Sequence, residues 1–211
     1  MPTEIEIKLR LPGEWAVPPI LEDGRVAACL MRDFADTEMD AVYYDTERGE
    51  LSERQWALRL RRENGVTVAA CKVAETRDGP LFSRGEWQVF AEDWETALPL
   101  LAAEGAPEKL LSLQSPLVPR CAVKFTRTTA PLRLPDGSTA ELALDRGTLS
   151  AGNKREDLLE LELELLTGGP GGMTELAAYL ESRYALSKEY NSKYARALRL
   201  LRSRPAASQG G

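Results

Sequence analysis

"EIEIKLRL", residues 4–11, alternates without a break. Glu4, Glu6, Lys8 and Arg10 fall on one side of an extended chain, and Ile5, Ile7, Leu9 and Leu11 on the other. Strand side chains point to opposite faces in turn, so this is a strand with one apolar and one charged face. The ordinary reading is a half-buried strand whose charged side meets water, where it also guards an edge against mispairing. Another reading requires that other strands carry the same charged face.

They do. Further alternating runs are "DAVYYDT" (40–46), "WALRLRRE" (56–63), "VTVAACKV" (66–73) and "SRGEWQVF" (83–90). "PRCAVKFTRTTAPLRL" (119–134), "STAELALDRGTLS" (138–150) and "DLLELELELL" (157–166) complete the set. Asn64-Gly65, Asp78-Gly79-Pro80 and Asp136-Gly137 are turn signals between them, and turns this short make antiparallel neighbours. Helical spacing is confined to "EDWETALPLLAAEGA", where Pro99 should kink or split the helix, "GMTELAAYLESRYA", with Thr174 as a cap, and "NSKYARALRLLRS", capped by Asn191 or Ser192. The connector "TGGPGG" (167–172) lacks the Gly-Lys-Ser/Thr of a phosphate-cradling loop. Many strands with few helices and no shift in composition predict one α+β domain over 1–203, with 204–211 as a disordered tail.

Composition removes whole classes of chemistry. The 211 residues contain no histidine, which excludes Ser-His-Asp and Cys-His catalysis, histidine zinc sites and an imidazole base. Three scattered cysteines, Cys29, Cys71 and Cys121, make no metal or disulfide pattern and read as small core residues. A net charge of −6 argues against nucleic acid or an acidic membrane as a general partner. The N-terminus has no secretory pattern and no run is long enough to span a bilayer, so a cytoplasmic protein is expected. Any catalysis must run on carboxylates, lysines, arginines, tyrosines or an oxygen-bound metal.

Charge recurs on one face of nearly every strand: Glu4, Glu6 and Lys8; Arg59 and Arg61; Lys72; Glu86; Glu141 and Asp145; Glu160, Glu162 and Glu164. An open sheet would bathe that face in water, and a closed barrel would line its interior with it. Two like charges about 4 Å apart cost roughly 4 kcal/mol at an effective dielectric near 20, so converging carboxylates need cations among them. Hard divalent cations take carboxylate oxygens, and arginine forks and lysine ammonium groups take phosphate oxygens. A polyphosphate with Mg²⁺ or Mn²⁺ would meet both demands, and pattern alone leaves this reading level with the solvated face.

The order of these stretches is more specific. "EIEIK" (4–8) followed by "YYDT" (43–46), "LRLRR" (58–62), Lys72 in "AACKV", Glu86 in "RGEWQV", Arg127 in "FTRTT", "ELALDRG" (141–147), "ELELEL" (160–165) and "SKYARAL" (192–198) resembles the CYTH superfamily, the triphosphate tunnel metalloenzymes, over almost the full length. The resemblance implies an antiparallel, closed eight-stranded β-barrel with helices packed outside. It implies metal ligands among Glu4, Glu6, Glu86, Glu141, Asp145, Glu160 and Glu162, with Glu160 and Glu162 favoured over Glu164. It implies phosphate binding by Lys8, Arg59, Arg61, Lys72, Arg127 and Lys193, with Lys188 as a substitute for the last; Glu4, Glu6 and Lys8 are the catalytic candidates.

Parity sends Lys124 and Arg127 to opposite faces, so Arg127 is taken inward and Lys124 outward. Arg62 should face solvent, Arg10 should lie at the tunnel mouth, Tyr43 and Tyr44 should pack, and Trp56 and Trp87 should fill the layer between barrel and helices. The implied activity is metal-dependent hydrolysis of a triphosphate, foremost inorganic tripolyphosphate to pyrophosphate and phosphate. Thiamine triphosphatase, class IV-type adenylate cyclase and a non-catalytic polyphosphate-binding module are the alternatives. The apolar content of the C-terminal helix would allow a homodimer.

Overall fold

The computed structural model describes residues 3–202, so the expected tail at 204–211 lies outside the described residues. Nine strands form, all paired antiparallel: β1 Thr3–Arg10, β2 Ala35–Thr46, β3 Ala57–Glu63, β4 Val66–Asp78, β5 Leu81–Phe90, β6 Leu117–Arg133, β7 Thr139–Ala151, β8 Lys154–Thr167 and the two-residue β9 Ser187–Lys188. The sheet runs β5-β4-β3-β2-β6-β7-β8-β1, and a further pairing of β5 with β1 closes these eight into a barrel. Closure decides between the open sheet and the barrel that the charged faces left level, because it removes both edges and gives every strand an inside.

The register shows which face turns in. Across β1 and β8, Lys8 sits opposite Glu162 and Glu6 opposite Glu164. Glu4 faces Arg84 across the β1–β5 seam, and Lys72 faces Glu86 across β4–β5. Arg127, Asp145 and Glu160 line up in one row across β6, β7 and β8. Lys124, three residues from Arg127, points outward to Asp40 at 2.9 Å with 73% of its side chain exposed, as parity demands when no bulge separates the two.

Six helices surround the barrel: α1 Val17–Leu21, α2 Gly24–Cys29, α3 Glu50–Glu53, α4 Trp94–Ala103, α5 Gly171–Tyr184 and α6 Lys193–Arg202. The outward apolar residues of β1, β7 and β8, among them Ile7, Leu9, Leu142, Leu144, Leu161 and Leu163, pack on α1, α2 and α5 through Ile20, Val26, Met173, Leu176 and Leu180. Those of β3, β4 and β5, including Leu58, Cys71 and Trp87, pack on Leu51 of α3 and Ala97 and Leu101 of α4, with Trp56 against the same cluster. Such two-sided burial is why the strands alternate so cleanly.

In α6, Tyr194 and Ala197 join residues from inside the barrel. They pack with Met39, Ala41, Tyr43, Cys121, Val123, Phe125, Leu149 and Leu158. Tyr43 stacks on Tyr194 with centroids 5.1 Å apart, whereas Tyr44 points out to Trp94 edge-on. One part of the interior is therefore filled by apolar side chains, and charge is confined to the remainder.

Local chemistry accounts for several boundaries, and corrects some expectations. Asn64 and Gly65 both take positive φ, the geometry of a two-residue hairpin turn between β3 and β4. Helix α4 runs through Pro99 instead of breaking; Glu95 and Pro99 are exposed, so water can serve the carbonyl that proline leaves unpaired. Thr174 does not cap α5, whose N-cap is Pro170; the Thr174 hydroxyl donates to the Pro170 carbonyl from within the first turn. Ser192 does cap α6, its Oγ accepting from the Ala195 amide at 3.1 Å. Helices α1 and α2 lie in a stretch, 12–34, to which the pattern assigned no element, because each is a turn or so long and the first carries two prolines.

The tightest backbone approach is at Gly147 on β7. A Cβ there would stand 2.0 Å from the Lys124 carbonyl oxygen and 2.5 Å from Phe125 Cα on β6. Gly147→Ala should therefore lower stability by more than about 2 kcal/mol in urea unfolding, and an unchanged midpoint would refute this strand contact.

Candidate active site

Seven basic side chains, Lys8, Arg59, Arg61, Lys72, Arg84, Arg127 and Lys193, and six acidic ones, Glu4, Glu6, Glu86, Glu141, Glu162 and Glu164, turn into one cavity of about 170 Å³ inside the barrel. Strand parity delivers most of them, and the N-terminus of α6 delivers Lys193. Lys188, the alternative for that last position, lies on β9 with 38% of its side chain exposed, 3.8 Å from Glu181 and outside the cavity lining.

Arg59 and Arg61 occupy successive inward positions of β3. Each has a buried Nε with no acceptor. Arg61 is pushed below the usual arginine range, first by the charge of Arg59 and then by burial. Through Nη2, Arg59 pairs with Glu86 at 3.5 Å and Arg61 with Glu63 at 3.2 Å, and the two adjacent Nε donors could serve an anion. Arg62, between them and their hairpin, is exposed.

Across the cavity the carboxylates of β1 are held by cations. Lys72 donates to Glu4 at 3.1 Å and pairs with Glu86 at 2.6 Å. Lys8 donates to Glu6 at 2.5 Å. Arg84 bridges the two acids, Nε to Glu4 at 2.6 Å and Nη2 to Glu6 at 2.9 Å. Burial opposes the charge on Glu4, yet Lys72 and Arg84 hold it well below the usual carboxylate range. Arg84 has the same parity as Glu86, so alternation could have found it; no motif carried it.

A third group joins β6, β7, β8 and α6. Arg127 grips Asp145 with two bonds of 2.7 Å and reaches Glu162 at 2.5 Å. Lys193 contacts Asp145 at 2.8 Å, Glu162 at 2.9 Å and one oxygen of Glu160. The other oxygen of Glu160 accepts from Arg196 at 2.7 Å, a fully buried arginine one turn along α6 that the sequence pattern did not single out. Although burial opposes their charge, Lys193 and Arg127 are both raised above their ordinary values by these acids, Asp145 foremost.

The fit to a divalent cation can be judged from the donors. All are carboxylates, the ligand type of Mg²⁺ and Mn²⁺. Asp145, Glu160 and Glu162 bring oxygens within 4.8 Å of one another, a spacing compatible with an ion, but Arg127, Lys193 and Arg196 compensate them already. Glu164 is different. It faces the cavity, and burial followed by the charges of Glu4, Glu6 and Glu162 pushes it up to about 7, with Lys72 opposing only in part. A carboxylate so placed lacks positive charge, which a cation shared with Glu4, Glu6 and Glu162 would supply. Asp145 and Glu160, expected as ligands, do not line this cavity; with Glu162 they form a carboxylate group whose spacing suits an ion, and they bond the cavity's basic groups from behind.

A family model described as CYTH domain matches residues 2–198. Among solved structures, HpAC1 from Hippeastrum, described by a dominant triphosphatase activity, is 18% identical with a TM-score of 0.63, covering 93% of this chain and 95% of its own. A protein of Pyrococcus horikoshii is 21% identical with a TM-score of 0.53, covering 92% and 98%. A candidate adenylate cyclase of Bacillus halodurans is 17% identical with a TM-score of 0.53, covering 91% and 96%. At these identities the likeness is one of fold.

The state of Glu164 sets a pH dependence for the metal-free protein. Unfolded, the group titrates near its ordinary 4.5; folded, it keeps its proton to about 7. Between those values the folded state binds the extra proton, so the contribution of Glu164 to stability falls as pH rises and stays unfavourable above 7. In EDTA, Glu164→Gln should melt close to wild type at pH 5 and above it at pH 8. An equal loss at both pH values would contradict the assignment.

Proposed function

The chain belongs to the CYTH domain family, and from that premise we propose that it hydrolyses a triphosphate, foremost inorganic tripolyphosphate, with Mg²⁺ or Mn²⁺. The observation that carries this reading is a cavity in which two arginine Nε donors without an acceptor share the space with Glu164, a carboxylate short of positive charge. A polyanion alone would satisfy the first and burden the second. A polyanion bound with a divalent cation suits both.

Arg59 and Arg61, with Arg127 and Lys193 beside them, neutralise phosphate oxygens and fix the chain of phosphates for in-line attack. Lys8 and Lys72, tied to Glu6 and Glu4, set the border between the basic and acidic walls. Glu4, Glu6, Glu162 and Glu164 would hold the cation. When bound, it would supply Lewis-acid polarisation of phosphate oxygens and a water of lowered pKa. Water adds its oxygen to the terminal phosphorus, the phosphoanhydride bond breaks toward pyrophosphate, and a carboxylate of the acidic wall takes the proton. No histidine and no covalent intermediate are needed.

One observation favours a second reading, a triphosphate carrying an organic group. A neighbouring cavity of about 450 Å³ shares Ala57, Lys72, Arg84, Ser192 and Tyr194 with the first, and adds Trp56. An aromatic ring there would suit thiamine triphosphate or a nucleotide. Among the described residues, no helix is long and apolar enough to cross a membrane.

The test is phosphate release from tripolyphosphate, thiamine triphosphate and ATP side by side, with MgCl₂ or MnCl₂. Tripolyphosphate should turn over fastest, and Glu4→Gln or Glu6→Gln should slow it by about a hundredfold or more. Undiminished turnover in both variants would remove the metal assignment. Binding without turnover in the wild type would establish the non-catalytic module instead.

A further inference from the structure

Arg84 stands where a cation ligated by Glu4 and Glu6 would have to sit. Its guanidinium takes Glu4 Oε2 and Glu6 Oε1 at once, and it is as enclosed as the acids it binds, with 12% of its side chain exposed. Those same oxygens also receive a lysine each, Lys72 at Glu4 and Lys8 at Glu6. The two carboxylates therefore keep a cationic neighbour when the arginine leaves. Arg84 also borders both the charged cavity and the roomier one beside it, so its side chain has space to turn without unpacking the barrel.

We propose that Arg84 is an exchangeable counter-ion: it neutralises Glu4 and Glu6 while no divalent cation is bound, and moves to a phosphate of the substrate when the cation takes those carboxylates. The proposal rests on the metal-and-triphosphate reading above. The lysines each hold one carboxylate from its side, whereas the guanidinium bridges both, so it competes with any divalent cation that takes the pair, and the two charges repel strongly at that distance. A displaced arginine in a closed, charged cavity needs another anion, and the phosphate chain is the one at hand. Metal and triphosphate thus favour each other's binding, and by linkage the coupling is reciprocal.

This arrangement has a signature that a merely structural arginine lacks, because removing it moves two affinities in opposite directions. In Arg84→Gln, calorimetric titration of the full chain with MgCl₂ alone should show binding tighter than wild type by about tenfold, since the competitor is gone. The same variant should lose at least half of the rise in melting temperature that tripolyphosphate gives the wild type in excess MgCl₂. Arg84→Lys keeps the charge but cannot bridge both acids. It should retain most of the tripolyphosphate effect with an intermediate Mg²⁺ affinity, and it carries the test if the glutamine variant fails to fold.

If both affinities move the same way, or neither moves, while the wild type binds Mg²⁺ and tripolyphosphate, the exchange is wrong and the functional reading survives. If the wild type binds neither, the functional reading falls and the exchange falls with it.

Discussion

The seam between β1 and β5 is the constraint on which the rest of the molecule depends. Across it Glu4 meets Arg84 in register, and Lys72 from β4 reaches the same carboxylate. Without that pairing the eight strands would be a curled open sheet whose charged face could be hydrated one side chain at a time. With it, the acids and bases are enclosed and must satisfy one another or a ligand. Enclosure turns an ordinary solvated face into a site, and it does so through contacts between residues about 70 to 80 positions apart in the chain.

Enclosed ion pairs are poor stabilisers, since the loss of hydration offsets most of their attraction. The fold does not rely on them. Its stability comes from the two outer clusters between strands and helices, and from the apolar part of the interior that α6 fills with Tyr194 and Ala197. That division leaves the charged part free to be arranged for binding. Arg59 and Arg61 illustrate the consequence: side by side with unsatisfied Nε groups, they are worse for stability than a pair of leucines and better for holding an anion.

Much of this was legible in the sequence because period-two alternation maps directly onto inside and outside. Arg127 inward and Lys124 outward followed from their odd spacing, and Trp87 in the outer layer followed from its place between Glu86 and Gln88. What alternation cannot register is depth along the barrel. Glu160, Glu162 and Glu164 share a face, yet Glu160 lies behind the cavity wall against Arg196, and Glu164 opens into the cavity. Nor can it register groups that arrive from another element. Arg196 sits on a helix whose sequence pointed to Lys193 and to a dimer contact, and its burial against Glu156 and Glu160 is a tertiary event.

The excess of carboxylates over what one cation could use finds its explanation in that depth. Asp145 and Glu160 are fully buried and bonded to Arg127, Lys193 and Arg196. A lysine at the start of a helix has several rotatable bonds, and the phosphate recognition proposed for it would need its ammonium in one place. Three acids around Lys193 remove that freedom before any substrate enters, so less ordering remains for the binding step. The acids of the barrel thus divide by what they hold. Those toward β7 keep the basic groups still, and those toward β1, the ligands proposed for the cation, already share their oxygens with an arginine of the chain.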